Sequence, residues 1–99
     1  MKHTFIYEGG YPQFYVDHEQ LLELGGCSPD YVIEIVTELE KVLCGERAQY
    51  DFGREVYSID CDKDTCKVLN TFENWQEELT IPTAEMYELM KAWRDFSIK

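Results

Sequence analysis

Residues 55–72 read Glu55-Val56-Tyr57-Ser58-Ile59-Asp60-Cys61-Asp62-Lys63-Asp64-Thr65-Cys66-Lys67-Val68-Leu69-Asn70-Thr71-Phe72. Apolar and polar residues alternate on both sides of the tetrad Asp62-Lys63-Asp64-Thr65. A period of two is the signature of a strand with one face buried and one in water. Four polar residues are a common loop length for a β-hairpin. The segment therefore predicts strands over Glu55–Cys61 and Cys66–Phe72. In the register this loop sets, Cys61 stands opposite Cys66, Ile59 opposite Val68 and Tyr57 opposite Asn70. On the other face Asp60 meets Lys67, a favourable cross-strand pair. Both faces agree on one register, as they must when a one-residue slip would turn every side chain over.

Working outward, a shorter third strand is predicted over Glu78–Ile81. Pro82-Thr83 then opens a helix, with Thr83 as its cap and Glu85 in its first turn. Met86, Leu89, Met90, Trp93 and Phe96 form its apolar stripe. Upstream, Ser28 is a good N-cap, Pro29 suits the first helical position, and Asp30 favours the positive end of the helix dipole. Val32, Ile35, Val36, Leu39, Val42 and Leu43 recur at helical spacing until Gly45 stops the helix. A short helix is predicted from Asp17 to Gly25-Gly26, with Asp17 and Gln20 placed as in a capping box. At the start of the chain, Thr4–Tyr7 and Tyr11–Val16 flank Gly9-Gly10 and read as a hairpin. Pro12 confines its strand to a sheet edge. The fold class is α+β, with one antiparallel sheet of about four to five strands on which two long helices and one short helix pack. The 99 residues form a single domain, 1–99, large enough for one core.

The formal charge is −11, from 20 acidic and nine basic residues. Such a field disfavours nucleic acid and anionic membranes as partners and attracts cationic surfaces. The charge is also uneven. From His3 to Glu40 there is no Lys or Arg, while Glu8, Asp17, Glu19, Glu23, Asp30, Glu34, Glu38 and Glu40 all fall there. A one-sign half predicts a face whose neutralising charges come from another molecule; the alternative is that the charge serves solubility alone.

The four cysteines, at 27, 44, 61 and 66, fit neither CxxC nor a zinc ribbon. The N-terminus has the pattern of no signal peptide and no stretch is long enough for a membrane span. A cytoplasmic location, reduced thiols and small buried cysteine side chains are expected. Opposition of Cys61 and Cys66 nevertheless leaves a bridge geometrically open.

No chemistry-bearing motif is present. A Cys27–His18 pair lacks any oxyanion loop, and GxxxxGK[ST], GxGxxG and HExxH are absent. Asp60, Asp62 and Asp64 start like a calcium loop, but Thr65 and Thr71 stand where that loop needs glycine and a bidentate glutamate. The reading is a protein without catalytic, cofactor-binding or metal-binding residues. Three acidic surfaces are candidates for partner binding. They are the helix face Asp30, Glu34 and Glu38; the hairpin tip Asp60, Asp62 and Asp64; and Trp75 with Glu77 and Glu78. Trp75 has a second reading, in which its ring folds back to cap the core.

The hairpin VYSIDCDKDTCKVLNTF (56–72), a short strand, and the closing helix PTAEMYELMKAWRDF (82–96) resemble the small acidic immunity proteins that bacteria encode beside contact-dependent or polymorphic toxins. The resemblance covers about the C-terminal half of the chain and carries over no binding residue. It implies a cytoplasmic inhibitor that binds one basic cognate toxin, commonly a nuclease, and covers its active site or substrate surface. A nucleic-acid mimic that inhibits a host nucleic-acid enzyme, and a non-inhibitory acidic adaptor, are the alternatives.

Overall fold

The computed structural model describes residues 1–97. Its elements run β1 (His3–Glu8), β2 (Tyr11–Val16), a 3₁₀ helix (Glu19–Gly26), α1 (Pro29–Leu43), β3 (Tyr50–Gly53), β4 (Tyr57–Cys61), β5 (Thr65–Asn70), β6 (Gln76–Pro82) and α2 (Thr83–Ser97). The class is α+β, with the strands in two antiparallel sheets, β1-β2 and β3-β4-β5-β6.

The central hairpin β4–β5 has the register that its alternation dictates: Cys61 opposite Cys66, Asp60 opposite Lys67, Ile59 opposite Val68 and Tyr57 opposite Asn70. Phe52, Ile59, Val68 and Ile81 point to one side and are buried there. The stripes of α1 (Val32, Ile35, Val36, Leu39, Val42) and α2 (Met86, Leu89, Met90, Trp93) are buried in the same core. Ser28 caps α1 as expected, accepting a hydrogen bond from Tyr31 N at 3.2 Å.

Several expectations are corrected. The N-terminal hairpin forms its own sheet instead of extending the other, because its inner face is aromatic and packs on the end of α2. Phe5 and Phe14 stack at 5.5 Å, and each ring lies 5.1 Å from Trp93. Tyr7 Oη donates to the Phe96 carbonyl at 2.9 Å. The short helix is 3₁₀, and its cap is His18 with no side-chain bond. The Asp17 carboxylate instead accepts from Lys2 N, and Asp17 N donates to the Lys2 carbonyl, so both serve the end of the hairpin. Thr83 is the first residue of α2 and fully buried; its hydroxyl donates to the Asp62 carbonyl at 2.7 Å. Strand β3, for which no strand is predicted above, pairs with β4 and adds an edge to the sheet. It turns sharply into β4 at Gly53, where a Cβ would strike the Tyr57 carbonyl oxygen.

The cysteines are also corrected. Cys61 and Cys66 are joined by a disulfide across the non-polar face of β4–β5, with Cα atoms 4.0 Å apart. Cys44 is exposed and Cys27 half-buried, so only the bridged pair is fully packed. The bridge removes the thiol-based reason for assigning a reducing compartment. Among the described residues no helix is long and apolar enough to cross a membrane.

Two hydrogen-bonded ties hold helices to the sheet edge. The Tyr31 hydroxyl accepts from Gly53 N and donates to Gly53 O, both at 3.1 Å, which satisfies one residue of the open edge of β3. The Glu23 carboxylate accepts from Val56 N at 3.2 Å and Tyr57 N at 3.0 Å, anchoring the 3₁₀ helix to the β3–β4 turn. Tyr31→Phe removes the first tie and leaves the core unchanged. Chemical denaturation of that variant is expected to show a loss of about 1–2 kcal/mol; an unchanged midpoint would mean water replaces the hydroxyl at no cost.

Candidate functional site

Alternation sends half of each strand's side chains to the uncovered face of the four-stranded sheet. One cross-strand row there runs Asp51, Asp60, Lys67, Thr80. Asp51 faces Asp60 directly, an arrangement of like charges that disfavours the pairing. Lys67 makes no ion pair among the described residues. Gln49, Asp51, Asp60, Asp62, Thr65 and Lys67 line a shallow depression of about 270 Å³ beside the β4–β5 turn. Asp51 escaped the sequence reading because β3 did.

The carboxylates of the tip have different tasks. Asp62 Oδ1 accepts from Asp64 N at 2.8 Å and Thr65 N at 2.9 Å, so Asp62 closes the turn. These two amides hold its carboxyl below the ordinary carboxylate range. Asp60 accepts from the Ser58 hydroxyl at 3.0 Å. Asp64 is exposed, and its carbonyl receives Thr83 N at the start of α2.

On α1, Asp30 and Glu34 are exposed, but Glu38 is engaged internally. Its side chain is 17% exposed and lies between Lys41 (3.1 Å) and Arg47 (3.0 Å). Oε2 makes no aligned hydrogen bond, and the Lys41 ammonium beside it balances its charge. Arg47 also lies over the Tyr50 ring at 5.0 Å. Burial first, and then Tyr31 and the nearby carboxylates, push the Tyr50 phenol up. Glu38 is therefore a fixture of the α1–β3 junction.

The third surface lies at the other end of the sheet, in the β5–β6 turn. Gln76 N donates to the Glu73 carbonyl at 3.1 Å, closing a tight turn over Asn74 and Trp75. Both central residues have left-handed backbone, with φ of 54° and 59°. Asparagine tolerates that region and glycine prefers it, whereas a tryptophan there pays a steric cost. Trp75 is 58% exposed and Phe72 74% exposed, and neither belongs to the core cluster. Glu73, between them, makes no side-chain hydrogen bond or ion pair among the described residues. Glu77 accepts from the Thr80 hydroxyl at 2.8 Å. Glu78 is a strut: it accepts from Asn70 Nδ2 at 2.7 Å, with Gln20 and Tyr57 reaching it at 3.4 and 3.5 Å. Phe72 was hidden in the sequence because it continues the alternation of β5; only the turn chemistry of Asn74 marks where the strand ends.

Cys27, weighed above for chemistry, is a free, half-buried thiol. Burial pushes the Cys27 thiol up against the opposing pull of Arg54. Among the described residues no group of three or more His, Cys, Asp or Glu side chains is placed to hold a metal ion. Comparison with protein-family models, with curated proteins and with solved structures finds no match.

The role of Asp62 gives a pH signature. A carboxyl held below its unfolded value stabilises the fold above that value, and the contribution is lost as the pH falls through the folded one. Asp62→Asn keeps an oxygen acceptor for both amides and removes the titration. Its deficit relative to the parent is expected to hold above about pH 5 and to shrink as the pH falls below the ordinary carboxylate value of about 4 in denaturant titrations. A deficit that stays constant would assign the whole effect to geometry.

Proposed function

We propose that the protein is a protein-binding inhibitor of the immunity type. It covers a basic cognate partner, a toxin of the nuclease class, with the β5–β6 turn as its anchor. The observation that carries this reading is the backbone of Trp75. A non-glycine residue in the left-handed region costs on the order of 1–2 kcal/mol. Tryptophan at that position of the turn is not part of the core cluster and is more than half exposed, so core packing does not repay the backbone cost. A large rigid aromatic with few rotatable bonds is the kind of side chain that dominates binding energy at interfaces. Glu73 and Glu77 at its sides match a basic partner, and the net charge of −11 speeds encounter with one.

The nucleic-acid mimic has less support. It needs free carboxylates evenly spaced along one face, and on the helix face of Asp30, Glu34 and Glu38 the last is paired internally with Lys41 and Arg47. A non-inhibitory adaptor would use the same exposed aromatic; the carboxylates of Glu73 and Glu77 beside it and the net charge of −11 are what favour a basic partner.

Trp75→Gly separates function from folding. Glycine relieves the left-handed strain, so the variant is expected to match or exceed the parent in thermal midpoint. With the partner captured on tagged protein at moderate salt, the same variant is expected to lose affinity by about thirtyfold or more, the scale of a truncated interface aromatic. A Trp75→Gly protein destabilised by about 3 kcal/mol or more would show a packing role for the ring and remove the basis of the reading.

A further inference from the structure

Sheet edges that are not meant to pair are usually blunted by proline, bulges, charge or covering groups. Three of the four edges here are blunted. On β2, Pro12 lacks the N–H that would face outward, and the 3₁₀ helix packs beside the strand. On β3, only four residues long, the Tyr31 hydroxyl takes both backbone groups of Gly53. On β6 there is a register shift opposite Val68/Leu69, with Glu77 exposed beside it and Pro82 at the end. Among the described residues strand β1 has no proline, bulge or covering group along His3–Tyr7, and its charges, Lys2 and Glu8, stand only at its two ends. It is six residues long, and its pairing with β2 is unbroken from His3 to Glu8.

The hydrogen-bond phase of β1 follows from its turn. Two residues, Gly9 and Gly10, separate Glu8 from Tyr11, which makes Glu8–Tyr11 a hydrogen-bonded pair. Ile6, Thr4 and Lys2 then also bond toward β2, and Asp17 N donating to the Lys2 carbonyl at 3.1 Å keeps that phase. The backbone groups of His3, Phe5 and Tyr7 point the other way, to the open edge. The first sixteen residues hold one lysine and one glutamate and carry no net charge, so the whole of −11 lies beyond them. Charge is balanced locally along this hairpin, so a second copy meets less repulsion here than at the acidic remainder of the chain. Its outer face shows Ile6, Tyr11 and Tyr15, all exposed.

We propose that two copies of the chain associate by antiparallel pairing of β1 with β1. A twofold axis perpendicular to the sheet keeps inner residues on the inner face, so each residue must pair with one of the same parity. With Phe5 on the axis, His3 pairs with Tyr7 of the second copy, Thr4 with Ile6, and Lys2 with Glu8. This register brings the only two charges of the segment together, twice. The register with Ile6 on the axis sets Glu8 against Thr4 and loses both ion pairs. One added strand pairing is a small interface, so the dimer is weak and concentration-dependent.

Sedimentation velocity on a Cys44→Ser background, which removes the exposed thiol as a crosslinker, tests the proposal. The mean mass is expected to climb from one chain toward two as concentration rises. Lys2→Glu alone, or Glu8→Lys alone, sets like charges across the axis and is expected to weaken association by roughly tenfold or more. The Lys2→Glu/Glu8→Lys double variant restores opposite pairing and is expected to regain the parent behaviour. A single-chain mass at every concentration would overturn the proposal. So would a dimer indifferent to the single swaps, or one that the double variant fails to restore.

Discussion

The four-stranded sheet is covered on one side only, and most of the molecule follows from that. Along each strand, successive side chains point alternately into the core and into water. The inward set is Phe52, Ile59, Val68 and Ile81 together with the bridged Cys61 and Cys66, all buried against the two long helices. The outward set is Asp51, Asp60, Lys67 and Thr80. One-sided burial makes the register strict, because a slip by one residue would expose the first set and bury the second. It also forces Asp51 against Asp60 on the open face, a local conflict that the rest of the fold outweighs.

The acidic character of the chain divides into two kinds of carboxylate. Some are parts of the scaffold. Glu23 holds two amides of the β3–β4 turn, Asp62 closes the β4–β5 turn, Glu38 pairs with Lys41 and Arg47, and Glu78 joins Asn70. Others, such as Asp30, Glu34, Asp51 and Glu73, make no side-chain hydrogen bond or ion pair among the described residues. A count of acidic residues therefore overstates the surface open to a partner. The free carboxylates are spread over separate places; the β5–β6 turn joins them to the exposed aromatics Phe72 and Trp75, while the exposed Tyr11 and Tyr15 lie on the nearly uncharged β1–β2 hairpin. Charge of this kind sets direction and rate of approach, while desolvated aromatic area sets affinity.

The elements legible in the sequence are those whose own residues carry a repeated signal. The β4–β5 register rested on agreement between both faces, and α1 on five buried positions behind the Ser28-Pro29 start. What escaped depends on distant contacts. Strand β3 is four residues long, too short for alternation to declare itself, and it exists because β4 offers it an edge. Asp17 looks like a helix cap until the hairpin brings Lys2 beside it. Thr83 looks like a cap until the Asp62 carbonyl claims its hydroxyl. Glu38 and Glu78 read as free acids because Arg47 and Asn70 reach them only after folding. The bridge between Cys61 and Cys66 was open on geometry, yet the general habits of thiols in reducing compartments pointed away from it.

Trp75 is more than half exposed, whereas Trp93 is buried at 2% exposure. Hydrogen exchange of the two indole N–H groups, followed by NMR and assigned with a Trp75→Phe variant, tests this directly. One indole exchanging at the rate of a free side chain and the other strongly protected is the predicted result. Protection of both would place Trp75 against the core and contradict the account.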